Sequence, residues 1–148
     1  MKKVTILFVL FTLALGTYAQ DDEKAAIKKL VLTAYVDGLH NKGDLEATRN
    51  GFYPGFNLLI LKNSMVDKLP IYNWMQYASI KKEKDPEPYT KENLTTCEFE
   101  FIDITGDAAV SKIHLLKGGK KIFTDYLFFY KFDEGWKIVS KIFYRIPE

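Results

Sequence analysis

The sequence predicts a single α+β domain, with helices in its first half and an antiparallel sheet after them. Three observations carry this. Apolar residues recur at helical spacing over residues 23–42 and again after Pro70. Three turn signatures then divide the last third of the chain into runs of alternating character. Aromatic residues make up 15% of a chain that is 47% hydrophobic, which is enough to build one core from large rings. At 148 residues the chain supports one domain, and it shows no repeat or low-complexity tract.

The first residues predict a leader. Lys2 and Lys3 precede an apolar run from Val4 to Gly16, and Ala19 supplies a small residue for cleavage. This is the pattern of a secretory signal peptide over residues 1–19, with the domain occupying 20–148. The run is about 13 residues long, short of the roughly 20 that span a bilayer. A secreted or periplasmic protein is expected, with no membrane attachment after cleavage. Cys97 is the only cysteine, so no disulfide forms within the chain. The two leader lysines account for the excess of 21 basic over 19 acidic residues. The balanced remainder gives no electrostatic case for a nucleic-acid partner.

The elements follow in order. Over 23–42, Ile27, Leu30, Val31, Ala34, Tyr35 and Leu39 line one side of a helix. Gly43 ends it, and Asp44 caps a short second helix through Asn50. Tyr53-Pro54-Gly55 reads as a turn leading into a strand from Phe56 to Leu61. Pro70 suits the first position of a third helix carrying Ile71, Trp74, Met75 and Ala78 on one face. The segment "KEKDPEP", residues 82–88, is a proline-broken loop.

Turn types set the register of the strands beyond it. "ITGDA" pairs Ile104 with Ala108, "KGGK" pairs Lys117 with Lys120, and "FDEGW" pairs Phe132 with Trp136. Alternation then puts Glu98, Glu100, Lys112, His114, Asp125 and Lys141 on an outward face, around Val110, Leu127, Phe129, Val139 and Phe143. Lys112 is expected opposite both Glu100 and Asp125, forming a charge ladder. The inward face collects Cys97, Phe99, Phe101, Ser111, Ile113, Tyr126, Phe128, Tyr130, Ile138, Ser140, Ile142 and Tyr144.

The succession of helix, short helix, strand, helix and four long strands resembles the nuclear transport factor 2-like (SnoaL-like) superfamily. The motifs "AYVDGLHNKGD" at 34–44, "GFYPGF" at 51–56, "KLPIYNWM" at 68–75, "DITGDAAVSKI" at 103–113 and "FTDYLFFYKFDEGWKIVSKIF" at 123–143 carry the likeness. They are similar to its secreted branch labelled "putative lumazine-binding". The resemblance implies a cone: a curved antiparallel sheet wrapped around a long N-terminal helix and shorter helices. Relatives often carry Phe-His-Pro-Asp where this chain has Phe52-Tyr53-Pro54-Gly55, so an imidazole and a carboxylate are missing.

Within that frame the expected site is a pocket for a small apolar or planar ligand. Ser111, Tyr126, Phe128, Tyr130, Ser140 and Tyr144 would line its sheet side with Phe99, Tyr35 would come from the first helix, and Trp74 and Tyr77 would form a lid. With no Asp, Glu or His expected at the middle of the inward face, the reading leans against catalysis. Competing readings are an isomerase or dehydratase working through Asp37 or tyrosine hydroxyls, and a pure association module with a filled cone. His40 is expected at a helix end and His114 on the outer face. Two separated histidines make no metal site, and no cofactor motif occurs. The outward apolar centre, Val110, Leu127, Phe129, Val139 and Phe143, is expected to pair with a second copy as a homodimer.

Overall fold

The structure is a computed structural model and describes residues 20–147, so the expected leader lies outside the described residues. A first helix, α1, covers residues 20–40, and its Val31–His40 portion is wound as a wider π-helix. At its end the Asn41 amide reaches both the Val36 (3.1 Å) and Asp37 (3.2 Å) carbonyls. Helix α2, Leu45–Gly51, starts where the Asp44 side chain accepts from the Glu46 amide at 2.8 Å. It lies very close against α1. A Cβ on Gly38 would come within 2.0 Å of the Thr48 hydroxyl, which donates to the Ala34 carbonyl (2.8 Å), and one on Gly51 within 2.4 Å of Ala34.

Strand β1 spans Phe52–Lys62, β2 Met65–Pro70, and helix α3 Ile71–Lys84; β3 (Thr95–Thr105), β4 (Ala108–Lys117), β5 (Lys120–Phe132) and β6 (Gly135–Arg145) follow. They form one curved sheet in the order β2-β1-β6-β5-β4-β3, antiparallel throughout except for the parallel β1–β6 pair. Helix α1 covers its concave side, where Ile27, Val31 and Tyr35 meet Phe56, Ile113, Leu115 and Ile138 in a shared core.

Two expectations are corrected early in the chain. Strand β2 was not anticipated. It folds back through Asn63 and Ser64, both with positive φ (50° and 61°), the two-residue turn whose twist suits a hairpin. The Tyr53-Pro54-Gly55 segment is not a turn ahead of the strand but an irregularity inside β1. Phe52 pairs with Ile138 and Asn57 with Ser140, leaving the residues between them looped out. Phe52 and Phe56 point into the core, ring centroids 4.8 Å apart, while Tyr53 stacks outside on Phe132 at 5.6 Å.

The larger correction concerns faces. The Lys117–Lys120 turn pairs as expected, but the other two hairpins close one residue tighter, pairing Thr105 with Ala108 and Phe132 with Gly135. Three single-residue bulges then reset the alternation. Glu100 is skipped in β3, Ile122 in β5 and Val139 in β6. An extra residue exchanges the two faces beyond it. Ser111, Ile113 and Ile138 stay inside as expected. Asp125, Leu127, Phe129, Lys141 and Phe143 turn inward. Phe101, Tyr126, Phe128, Tyr130, Ser140, Ile142 and Tyr144 turn outward, with Phe128 40%, Tyr130 54% and Tyr144 61% exposed. Lys112 keeps its Glu100 partner at 2.8 Å, but Asp125 lies opposite Ile113 in the core and takes no part in a surface ladder.

The bulged arrangement hides Leu127 and Phe129 completely, each worth roughly 1.5–3 kcal/mol of apolar burial. Phe129→Ala should therefore cost about 3–5 kcal/mol, clearly more than truncation of the neighbouring, partly exposed Phe128 to Ala. Urea unfolding of the two variants reads the difference, and equal or reversed losses would return the strand to its unbulged register.

Candidate functional site

The bulges bring two opposite charges into the dry side of the sheet. Asp125 on β5 lies diagonally next to Lys141 on β6, because Asp125 pairs with Phe143 and Leu127 with Lys141. Asp125 is 0% exposed and Lys141 4%. The Lys141 ammonium approaches Asp125 Oδ2 at 3.0 Å, and the Tyr35 hydroxyl, reaching down from the π-wound part of α1, donates to the same oxygen at 2.6 Å. Lys141 Nζ also donates to the Tyr35 oxygen. Rings complete the cage: Nζ lies 4.7 Å from the Tyr35 centroid, 5.1 Å from Phe143 and 5.4 Å from Trp74.

Trp74 comes from α3 and is half-buried, edge-on to Tyr35 (5.8 Å) and stacked towards Phe56 (6.3 Å). His40, at the end of α1, puts its ring edge-on to Tyr35 at 4.9 Å and to Trp74 at 6.1 Å. Ser111 sits diagonally across from Asp125 on β4. Three shut-in polar atoms have no hydrogen-bond partner: Asp125 Oδ1, Ser111 Oγ and His40 Nε2. A polar atom buried without a partner costs about 1–3 kcal/mol, so three together around one cluster call for an explanation.

The electrostatics follow from burial. Desolvation, and then the Asp125 charge, hold the Tyr35 phenol well above its ordinary range, so it stays protonated. Desolvation lowers Lys141 despite the pull of Asp125. The Cys97 thiol, half-buried on β3, is pushed up to about 12 by burial and then by Asp125. Burial, then Lys141 and Lys81, depress His40 to about 3, so its ring is neutral.

Of the residues expected to bind a ligand, Tyr35, Trp74, Ser111 and Phe99 lie on or against the interior. Tyr77 is 56% exposed on the far side of α3 and forms no lid. Tyr126, Phe128, Tyr130, Ser140 and Tyr144 are on the convex side, for the reasons given above. Leu127 and Phe129 are core residues and cannot form an interface, and Phe143 packs inward against Phe123. The expectation of an inner face without a central carboxylate is overturned by Asp125. Asp37 is exposed. His114 lies opposite Glu98 on the outer face, bonded to Thr124 and Glu100 at 3.0 Å each. The missed pair left a signal in the sequence: Asp125 and Lys141 are opposite charges set among mostly apolar residues of neighbouring strands.

Among the described residues no group of three or more His, Cys, Asp or Glu is placed to hold a metal ion, and no helix is long and apolar enough to cross a membrane.

Removing one partner of a buried pair strands the other charge. Lys141→Met should cost about 3–5 kcal/mol, with much of it regained in Asp125→Asn/Lys141→Met, both read by urea unfolding. His40 adds a pH dependence. Its folded pKa lies below the ordinary 6.5, so the unfolded chain binds the proton first. The stability it contributes is complete above about 6.5 and is lost as pH falls towards about 3. His40→Phe should flatten the stability profile across that window relative to the unaltered protein.

Comparison with known proteins places this geometry in context. Solved structures share the fold. A nuclear transport factor 2-like protein of unknown function from Silicibacter pomeroyi DSS-3 superposes with a TM-score of 0.68 at 18% identity, covering 86% of this chain and 98% of its own. A second, from Shewanella baltica OS155, gives 0.66 at 23% identity, covering 86% and 96%. A third, from Methylobacillus flagellatus KT, gives 0.62 at 19% identity, covering 85% and 94%. Comparison with curated proteins finds no match. The fold is thus nuclear transport factor 2-like, and the family model described as "Putative lumazine-binding" matches residues 22–144. The chain belongs to the putative lumazine-binding family.

Proposed function

We propose that this is an exported, homodimeric protein that holds a small, uncharged, planar molecule inside its cone. The observation that carries the ligand is the set of unpartnered atoms, Asp125 Oδ1, Ser111 Oγ and His40 Nε2, arranged around the Tyr35–Asp125–Lys141 cluster. A molecule with a donor for the carboxylate oxygen and an acceptor or donor for the serine would satisfy them and lie against the faces of Tyr35 and Trp74. Lys141 and Asp125 cancel each other's charge, which favours a neutral guest. The family description is consistent with a planar heterocycle. Export rests on the leader pattern of residues 1–19.

The homodimer rests on the convex face. Phe128, Tyr130, Ile142 and Tyr144 are exposed there, joined by Val110 and Val139 of the original expectation. A run of large apolar side chains on one sheet face is suited to a second copy of itself, with Lys112, Glu100 and Lys137 at its edge.

A second reading, an isomerase or dehydratase on the same fold, is favoured by one observation. Asp125 keeps an oxygen free beside the Tyr35 phenol, a pairing able to take and return a proton. It replaces Asp37 and the outer tyrosines as the group on which such chemistry would depend.

Native mass spectrometry of protein purified from its source should show a non-covalent adduct that is lost on denaturation and depleted in Asp125→Asn. A clean apo mass in the unaltered protein would sink the binding reading in favour of an association module. Sedimentation at tens of micromolar should give a dimer that Phe128→Glu converts to a monomer; a monomer before substitution would remove the homodimer.

A further inference from the structure

The cluster just described contains an amine in an unusual place. Lys141 Nζ is held between a carboxylate, Asp125 Oδ2 at 3.0 Å, and a phenol, the Tyr35 hydroxyl, and is walled by the rings of Tyr35, Phe143 and Trp74. A potential nucleophile, a base and an acid therefore meet in one water-excluded spot. From this arrangement, and resting on the small-molecule reading above, we propose that Lys141 binds a small aldehyde or ketone covalently, as a protonated imine inside the cone.

The step balances without any oxidant or reductant. Asp125 takes a proton from the ammonium, leaving a neutral amine. Nζ attacks the carbonyl carbon, forming a C–N bond as the C=O π pair moves to oxygen. The proton released by nitrogen passes to that oxygen through the Tyr35 hydroxyl. The carbinolamine oxygen then takes the proton held by Asp125 and leaves as water, while the nitrogen lone pair closes the C=N bond. One ammonium and one carbonyl compound become one iminium and one water. The positive charge ends on the same nitrogen, and Asp125 is again its counter-ion. The ion pair of the free protein is preserved in the adduct, and the ring walls suit a flat, conjugated product. Burial lowers the pKa of Lys141, which helps the first proton transfer. Trp74, the half-buried wall of the cage, lies on a helix whose buried residues are Ile71 and Met75.

The test uses the mature chain, benzaldehyde and cyanoborohydride at neutral pH, with reduced adducts located by peptide mass mapping. Lys141 should be labelled severalfold faster than the exposed Lys117 and Lys120. Tyr35→Phe and Asp125→Asn should each slow labelling at Lys141 about tenfold and leave Lys120 unchanged; either variant suffices should the other fail to fold. Labelling of Lys141 no faster than of the exposed lysines overturns the imine. Equilibrium dialysis of benzaldehyde without reductant separates the two ideas. Saturable binding without labelling removes the imine and keeps the small-molecule site, whereas neither binding nor labelling removes both.

Discussion

The ion pair between Asp125 and Lys141 constrains the rest of the structure, because neither charge can be buried without the other. Two strands must therefore present both residues to the inner side at neighbouring positions. A regular register would turn both outward. Counting from the Lys117–Lys120 turn without interruption points Asp125 to solvent, and counting along β6 from the buried Ile138 points Lys141 there as well. One extra residue in each strand, Ile122 and Val139, reverses both. Each bulge alone would bury one unpaired charge, so the two are coupled through the pair they create.

The helical side of the core is shaped to the same cluster. The wider winding of α1 over Val31–His40 coincides with the stretch that carries Tyr35 to Asp125 and His40 to the edge of the rings. Wider windings of this kind are uncommon and recur at functional positions. Helix α2 holds α1 in place through the close approach at Gly38 and Gly51, where any side chain would collide with Thr48 or Ala34. Trp74 from α3 completes the wall. The cluster is thus gripped by every layer of the domain: α1 above, β4, β5 and β6 below, and α3 at the side.

The same bulges give the sheet an inverted character, with charges at the centre of its concave face and rings on its convex one. A convex face bearing Phe128, Tyr130, Ile142 and Tyr144 loses apolar hydration by associating, and a concave face with unpartnered oxygens gains by receiving a polar-edged guest. The proposed binding inside and the proposed pairing outside would thus both follow from one pattern of strand insertions. The loss of the histidine and aspartate at Tyr53-Pro54-Gly55 does not empty the cone of ionisable groups, since Asp125 and Lys141 occupy its centre from another part of the chain.

Local chemistry determined the α+β class, the three helices and most strand positions. The spacing of Ile27, Val31 and Tyr35, the Asp44 cap and the Gly118-Gly119 turn each act over a few residues, and so can be read from them. The likeness of its motifs to the family was also legible in the sequence. The hairpin through Asn63-Ser64 was missed because neither residue is a glycine, although both adopt positive φ. Of the site, Tyr35, Trp74 and Ser111 could be placed from the sequence, whereas Asp125 and Lys141 could not. Their faces depend on bulges at Ile122 and Val139, and nothing in those residue types announces a bulge. An apolar residue at either position is equally at home in a regular strand. What selects the bulged register is the energy of the assembled core, in which Leu127 and Phe129 are hidden and two charges meet Tyr35 from a helix some ninety residues away along the chain. That choice exists only once the layers are packed together.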